Sequence, residues 1–176
     1  MGIDSFESIL IIIVDVDGVL TDGKYNYSAS QQDINDYYVS KSFYTRDFFA
    51  LDKMHDLDYN IVVATSSSDN VIESKIYSNP NTDRSGWTVL SNVSDKVLDI
   101  SQYLSNNGFD WDNVLYIGDA ENDFFCLKKA AYAACPSDAI EEVIEISDFV
   151  SNFRGGNGAV YDILRCFSDA MGYEWF

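Results

Sequence analysis

The feature that most constrains the fold is an unbroken apolar run that ends in acidic residues. Residues 9–14 read ILIIIV, and Asp15 and Asp17 follow directly. A strand with one solvated face alternates apolar and polar residues, whereas a strand covered on both faces is apolar throughout. The run therefore predicts a central strand of a parallel sheet. Carboxylates at the end of such a strand are costly unless a metal ion, hydrogen bonds or a cation compensates them.

The same pattern returns twice along the chain. The segments NIVVATSSS, from Asn60, and DNVLYIGD, from Asp112, are apolar runs that end in hydroxyl or acidic residues, and stretches with helical spacing lie between the runs. One of these helices, in SDKVLDISQYL, is expected to take Ser94 as its N-cap. Alternating strands and helices predict an α/β fold, a doubly wound parallel sheet whose ligands bind beyond the carboxyl ends of the strands. We find no linker or repeat, so residues 1–176 are expected to form one domain.

A different pattern occupies the segment at about 25–43. Tyrosine, valine and phenylalanine alternate with polar residues on both sides of the stretch QQDIND. This arrangement predicts a β-hairpin that projects from the body of the domain.

Composition argues against several functional classes. The chain has 29 acidic and 11 basic residues and a net charge of -18, so neither nucleic acid nor an anionic membrane is an expected partner. The apolar run is too short to span a bilayer and has no basic leader, so neither a membrane span nor a signal peptide is expected. The cysteines Cys126, Cys135 and Cys166 are dispersed in stretches predicted to be buried, which favours reduced thiols in a cytoplasmic protein.

The residues at the predicted strand ends form a chemically coherent set. Asp15 and Asp17 are one residue apart, so on an extended chain they point the same way, about 6 to 7 Å apart. The other members are Thr65, Lys96, Asp119 and Asp123. Together they offer acidic oxygens for a hard cation, a hydroxyl and an ammonium group for phosphate oxygens, and a carboxylate that can attack. Mg²⁺ suits such a site because it takes oxygen ligands from carboxylates and phosphates, and an aspartyl-phosphate would divide a slow hydrolysis into two steps.

Four motifs in this order, DVDGVLTDG, ATS, SDK and GDAEND, resemble those of the haloacid dehalogenase superfamily. Within this superfamily, the chain resembles the capless branch that contains 3-deoxy-D-manno-octulosonate 8-phosphate phosphatase and N-acylneuraminate 9-phosphate phosphatase. This closer resemblance is carried by DVDGVLTDG, by Arg46-Asp47 before a helix, and by RGGNGAV near the C-terminus. It implies a Rossmann-like fold in which a small hairpin replaces the cap domain.

The resemblance also implies catalytic and metal-binding roles. Asp15 would be the nucleophile and a Mg²⁺ ligand, and Asp17 would be the general acid and base, with its backbone carbonyl on Mg²⁺. Lys96 would balance the phosphate charge. Asp119 would bind Mg²⁺, and Asp123 would either support the metal shell or orient Lys96.

Phosphate and substrate contacts are implied at further positions. Thr65 and Ser66 would bind phosphate, whereas Arg46 would contact the substrate or pair with the neighbouring aspartate. Gly156 and Asn157 belong to a loop that could hold an anion, although glycines before a helix also simply permit a turn. This chain has Ser66 and Ser67 where the branch usually has Gly-Arg, and Asn157 where it often has Arg. These changes bear on recognition of a sugar-acid carboxylate, which arginine binds well.

These observations predict a Mg²⁺-dependent phosphatase that acts on a small sugar-acid phosphate and, by resemblance, forms a homotetramer. Three alternatives remain. The first is a phosphatase of another small phosphorylated metabolite, and the second is a receiver-like phosphoacceptor domain. The third is a catalytically weak binding or regulatory subunit beside a cytidylyltransferase of sugar-acid activation.

Overall fold

A six-stranded parallel sheet forms the centre of the computed structural model, which describes residues 7–29, 37–78 and 83–175. The strands of the chain are β1 (Ile11–Asp15), β2 (Asn26–Ala29), β3 (Tyr37–Ser40), β4 (Asn60–Ala64), β5 (Thr88–Leu90), β6 (Val114–Ile117), β7 (Tyr132–Cys135) and β8 (Phe149–Val150). The central sheet has the order β5-β4-β1-β6-β7-β8, and all its pairings are parallel. The strand predicted from the apolar run therefore lies in the middle of the sheet.

Helices cover both faces of this sheet. They are α1 (Thr45–Asp56), α2 (Val71–Tyr77), α3 (Lys96–Asn106), α4 (Phe124–Lys129), α5 (Glu141–Ile146) and α6 (Ala159–Ala170). One apolar cluster joins α1, α2 and α6 to one face of the sheet, and a second cluster joins α3, α4 and α5 to the other. The predicted α/β fold with a doubly wound sheet is confirmed. Among the described residues, no helix combines the length and the apolar content needed to cross a membrane.

The side chains of β1 explain why its sequence does not alternate. Ile12 and Val14 pack in the first cluster, and Ile11 and Ile13 pack in the second. All four are fully buried. Because successive side chains of a strand point to opposite faces, a strand between two helical layers must be apolar at every position.

The predicted hairpin is the second, two-stranded sheet. β2 and β3 pair in antiparallel register, with Asn26 opposite Ser40 and Tyr27 opposite Val39. The polar stretch at 31–36, which the sequence predicts as the turn, lies outside the described residues. The chain leaves β3 at Lys41 and enters α1 four residues later, so only a short connection separates the hairpin from this helix.

Two local predictions from the sequence are wrong. Ser94 does not cap α3: Asp95 does, and its carboxylate accepts a hydrogen bond from the backbone N–H of Leu98 at 3.0 Å. Cys126 and Cys135 are buried as predicted, but Cys166 is exposed. It lies beside exposed Arg165 on the solvent face of α6, and the opposite face of that helix packs on the core.

Because both faces of β1 are covered, two substitutions on opposite faces should destabilise the protein equally. We expect Ile12→Ala and Ile13→Ala each to cost about 2–5 kcal/mol of unfolding free energy, since each leaves a cavity in a packed layer. The measurement is denaturant unfolding. Leu10→Ala is the matched control, because Leu10 is 47% exposed and its truncation should cost less than about 1 kcal/mol. A neutral result for either isoleucine would contradict the two-layer packing.

Candidate active site

Three neighbouring strands bring the predicted residues to one edge of the sheet. Asp15 ends β1 and lies opposite Ala64 of β4, so Thr65 follows at the same level. On the other side Val14 pairs with Ile117 of β6, two residues before Asp119. Parallel strands end at a common edge, and the candidate site therefore lies at the carboxyl ends of the strands, as predicted.

A buried lysine connects two of the acidic residues. The Nζ atom of Lys96, the first residue of α3, lies 2.7 Å from Oδ1 of Asp15 and 2.7 Å from Oδ1 of Asp123. All three side chains are buried. Burial alone would lower the pKa of Lys96, but Asp15 and Asp123 outweigh it and raise this pKa above its ordinary value. Lys96 is therefore a fixed positive charge at the centre of the site.

Asp123 is held by four hydrogen bonds. Its Oδ1 accepts from Lys96 and from the hydroxyl of Tyr116, both at 2.7 Å. Its Oδ2 accepts from the backbone N–H groups of Asp119 and Ala120 at 3.2 and 3.3 Å. These contacts occupy both oxygens, so they favour the prediction that Asp123 orients Lys96 over the prediction that it binds a metal directly.

The acidic residues nevertheless form a group that fits a cation. Asp15, Asp119 and Asp123 each offer a carboxylate oxygen, and these oxygens lie within 4.8 Å of one another. Oδ1 of Asp119 is buried and has no hydrogen-bond partner among the described residues. A buried, unpaired carboxylate oxygen is costly, and a bound cation would compensate it. The donor set consists of oxygens alone, which suits Mg²⁺.

Gly18 allows the loop after β1 to approach this group. A Cβ atom at this position would lie 2.1 Å from Oδ2 of Asp119, and Gly18 has a φ of +96°. Both the contact and the backbone conformation exclude other residues. The glycine of the DVDG motif is thus required by the packing of Asp119.

Two carboxylic acids of the group, Asp15 and Asp119, have raised pKa values. Burial, followed by the charge of Asp123, raises the pKa of Asp15 to about 8, although Lys96 opposes this shift. Burial and the same Asp123 raise the pKa of Asp119 to about 7. A cation that binds here must therefore displace protons near neutral pH.

Asp17 lies on the more open side of the site and contacts the hairpin. Nζ of Lys41 lies 3.0 Å from each of its carboxylate oxygens. The hydroxyl of Tyr25 donates to Oδ2 of Asp17 at 3.0 Å. The two predicted catalytic aspartates thus have different partners. Asp15 pairs with Lys96 of α3, whereas Asp17 contacts residues at the base of the hairpin.

The predicted phosphate-binding residues line a cavity of about 310 Å³ in front of Asp15. Its lining consists of Asp15, Asp17, Tyr25, Thr65, Ser66, Ser67, Ala120 and Asn122. The backbone N–H of Ser67 donates to Oγ1 of Thr65 at 3.0 Å, and the amide of Asn122 donates to Oγ of Ser66 at 3.4 Å. Hydroxyl and amide groups therefore surround the two aspartates.

Three predicted substrate contacts lie elsewhere. Arg46 is exposed, and its guanidinium lies 5.9 Å from the ring centre of Tyr161 on α6. Within the described ranges it forms no ion pair with Asp47, whose carboxylate instead accepts from the backbone N–H of Tyr161 at 2.8 Å. Gly156 and Asn157 line a separate cavity with Lys24.

The glycine loop near the C-terminus has a packing role. A Cβ at Gly156 would lie 2.5 Å from the backbone N of Asp22, and one at Gly155 would lie 1.8 Å from the backbone O of Gly18. The backbone N–H of Gly156 donates to Val19 at 2.9 Å. The loop therefore supports the turn after β1, which agrees with the structural alternative for these glycines.

Several residues of the site were not singled out from the sequence. They are Tyr25, Lys41, Tyr116, Asn122 and Asp69, whose Oδ2 lies 2.8 Å from Nζ of Lys41. Lys41 and Tyr25 lie in the segment at about 25–43, for which the sequence predicts a projecting β-hairpin but no contact with the site. Asn122 lies within the GDAEND motif, so its proximity to Asp119 was the one available signal.

Residues 12–164 match the family model of haloacid dehalogenase-like hydrolases. The chain belongs to this family. It is 26% identical over 167 residues to 3-deoxy-D-manno-octulosonate 8-phosphate phosphatase KdsC of Escherichia coli. This match covers 94% of this chain and 82% of the relative. It is also 26% identical over 159 residues to N-acylneuraminate cytidylyltransferase of Oncorhynchus mykiss. This match covers 90% of this chain but only 35% of the relative.

Solved structures show the same fold. The cobalt-bound deoxy-D-mannose-octulosonate 8-phosphate phosphatase (YrbI) from Haemophilus influenzae has a TM-score of 0.82 and 26% identity, covering 96% of this chain and 92% of that one. The corresponding phosphatase from Moraxella catarrhalis, in complex with magnesium, phosphate and KDO, has a TM-score of 0.83 and 20% identity, covering 97% and 91%. The predicted membership of this superfamily, and the resemblance to its octulosonate-phosphatase branch, are confirmed.

The raised pKa values predict that Mg²⁺ binds more tightly as the pH rises. Because the carboxylic acids of Asp15 and Asp119 must lose protons to bind a cation, we expect apparent affinity to increase at least ~10-fold between about pH 6 and about pH 8. The measurement is the Mg²⁺-dependent rise in unfolding temperature at each pH. Asp119→Asn should abolish most of this rise, and an affinity independent of pH would contradict the prediction.

The same pKa shifts determine whether the metal-free protein gains or loses stability as the pH rises. The folded-state pKa values of about 8 and about 7 lie above the ordinary value of 3.8, so these groups hold protons in the folded state that the unfolded state releases. Their contribution to stability is present below the ordinary value and is lost as the pH rises through the folded-state values.

Proposed function

We propose that this protein is a Mg²⁺-dependent phosphatase that hydrolyses a small sugar-acid phosphate, similar to 3-deoxy-D-manno-octulosonate 8-phosphate, through an aspartyl-phosphate intermediate. The observation that carries this proposal is the pairing of Asp15 with buried Lys96 at 2.7 Å in front of a cavity that also receives Asp17. Family membership and relatives that are phosphatases over most of the chain support it.

Asp15 is the proposed nucleophile. Lys96 binds its Oδ1 and so leaves Oδ2 to attack phosphorus, forming a bond to phosphorus as the bond to the leaving oxygen breaks. The ammonium of Lys96 also balances negative charge on the phosphoryl oxygens. The hydroxyls of Thr65 and Ser66, which line the same cavity, are proposed to hold the phosphate group.

Mg²⁺ would be held by Asp15, by Asp119 and by the backbone carbonyl of Asp17, with Asp123 supporting the group through Lys96. When bound, the ion would supply positive charge to the phosphoryl oxygens. The unpaired Oδ1 of Asp119 is the observation in this chain that fits such an ion.

Asp17 is the proposed acid and base. It donates a proton to the leaving alkoxide while the aspartyl-phosphate forms, and it then removes a proton from the water that attacks that intermediate. Its carboxylate lines the cavity next to Asp15, whereas Asp15 is tied to Lys96. The different environments of the two aspartates therefore support their different roles.

Recognition of the sugar would depend on neutral groups. Tyr25, Ser66, Ser67 and Asn122 line the cavity, and their hydroxyl and amide groups can exchange hydrogen bonds with sugar hydroxyls. No arginine is among the described lining residues. The sugar-acid class is thus supported by the relatives, and the cavity itself equally accommodates a neutral sugar phosphate.

The nucleophile assignment predicts that Asp15→Asn is inactive. We expect phosphate release to fall by at least ~10⁴-fold, because an amide cannot form the covalent intermediate. The measurement is phosphate release with Mg²⁺ across eight- and nine-carbon sugar-acid phosphates and hexose phosphates. Asp22→Asn is the matched control, since Asp22 lies in the same loop but bonds Lys24 in an exposed turn. Full turnover by Asp15→Asn would contradict the proposal.

The acid and base assignment predicts that Asp17→Asn accumulates the intermediate. An aryl phosphate has a good leaving group that departs without a proton, but the later attack of water still needs a base. We expect a burst of aryl alcohol followed by slow turnover, and a stable protein mass increase of one phosphoryl group. Mass spectrometry after acid quench checks this, with Asp22→Asn again unmodified. A variant without burst or adduct would contradict the two-step route.

One observation favours a second candidate function. The chain matches about a third of a much longer N-acylneuraminate cytidylyltransferase. A catalytically weak domain that acts beside such an enzyme would bind sugar phosphates without hydrolysing them. Calorimetric binding of a sugar-acid phosphate with no phosphate release, in the presence of Mg²⁺, would favour this candidate over the phosphatase.

A further inference from the structure

Lys41 is a buried lysine next to the site, and none of the proposed chemical steps involves it. Its side chain is fully buried, and its ammonium group lies between two carboxylates. The distance is 3.0 Å to each oxygen of Asp17 and 2.8 Å to Oδ2 of Asp69. A buried lysine with two acidic partners has little capacity left for a substrate anion.

These groups close into a ring that joins three segments of the chain. Lys41 directly follows β3, Asp69 lies in the loop between β4 and α2, and Asp17 follows β1. Tyr25, just before β2, donates to Asp17 at 3.0 Å and lies 3.3 Å from Oγ of Ser67, which in turn bonds Asp69. The ammonium of Lys41 lies 4.6 Å from the ring centre of Tyr25.

The ring holds both oxygens of the Asp17 carboxylate. Oδ1 contacts Lys41, and Oδ2 contacts Lys41 and the Tyr25 hydroxyl. A side chain fixed at both oxygens loses its rotational freedom before the substrate binds, which is the condition for efficient proton transfer. Asp69 also keeps the lysine paired while Asp17 carries a proton, so the buried ammonium never lacks an acidic partner.

We propose that Lys41 is the positioning residue of the acid and base, which fixes the carboxylate of Asp17 towards the leaving oxygen of the substrate and ties the hairpin to the loop after β4. This inference rests on the proposed phosphatase function. It assigns to the base of the hairpin a role in the proton-transfer step, separate from any contact between the hairpin and the sugar.

The test compares two leaving groups. An alkyl phosphate, such as a hexose 6-phosphate or a sugar-acid phosphate, needs a proton on its leaving oxygen, whereas p-nitrophenyl phosphate does not. We expect Lys41→Met to lower kcat/KM at least ~100-fold on the alkyl phosphate and less than ~5-fold on the aryl phosphate. Lys24→Met is the matched control, because Lys24 lies just before β2 as Lys41 lies just after β3, and its side chain is 81% exposed; it should change neither value.

A second variant guards against loss of folding. Tyr25→Phe removes one hydroxyl of the ring from a residue that is 49% exposed, so the protein should keep its unfolding temperature. Because the Tyr25 hydroxyl also lines the cavity, the readout for this variant is kcat at saturating substrate, which lost sugar binding would not lower. We expect kcat to fall about 10-fold on the alkyl phosphate and to stay unchanged on the aryl phosphate, in line with the loss of one hydrogen bond to a charged group.

Three outcomes would overturn the inference. If Lys41→Met and Tyr25→Phe lowered activity equally on the alkyl and the aryl phosphate, the ring would have only a structural role. If neither variant changed activity on either substrate, the ring would have no role in proton transfer. A rise in KM limited to sugar-acid phosphates would make Lys41 a substrate contact. In each of these cases the wild-type protein is active, so the phosphatase proposal stands; a wild type that hydrolyses neither class would overturn both proposals.

Discussion

The buried ion pairs of Lys96 with Asp15 and Asp123 are the interaction on which the site depends. They join the first residue of α3, the end of β1 and the loop after β6. Removing one partner of such a set leaves an uncompensated buried charge, which costs about 3–5 kcal/mol. The central strand order and the two helical layers are what bring these charges together. The fold and this arrangement of buried charges therefore cannot vary independently.

The site has two parts with different physical character. The part around Asp15 and Asp119 is buried, raises the pKa values of both acids, and offers oxygens to a cation. The part around Asp17 is more open and is built with the hairpin and the loop after β4. A packed core tolerates little change, whereas loops vary readily. The type of reaction, which depends on the packed part, can therefore be inferred for this chain more easily than the identity of the sugar, which depends on the loops.

Much of the fold and part of the site could be predicted from the sequence. The apolar run before Asp15 requires burial on both faces, and the order of the four motifs identifies Thr65, Lys96 and Asp119 as strand-end or helix-start residues. Lys41 could not be predicted in the same way. A single lysine after a hairpin strand resembles any surface lysine, and its contact with Asp69 joins residues 28 positions apart in sequence.

The sequence by itself determined the parallel sheet, the acidic strand ends and the hydrolase family. Periodicity and the order of motifs can be recognised along the chain without knowing which segments come into contact. Tertiary structure alone decided which side chains meet. It placed Arg46 against Tyr161 and Asn157 in a separate cavity, and it buried Lys41 against Asp17. The physical reason is that contacts between distant segments depend on how helices and loops pack, and neither a motif nor a period records that packing.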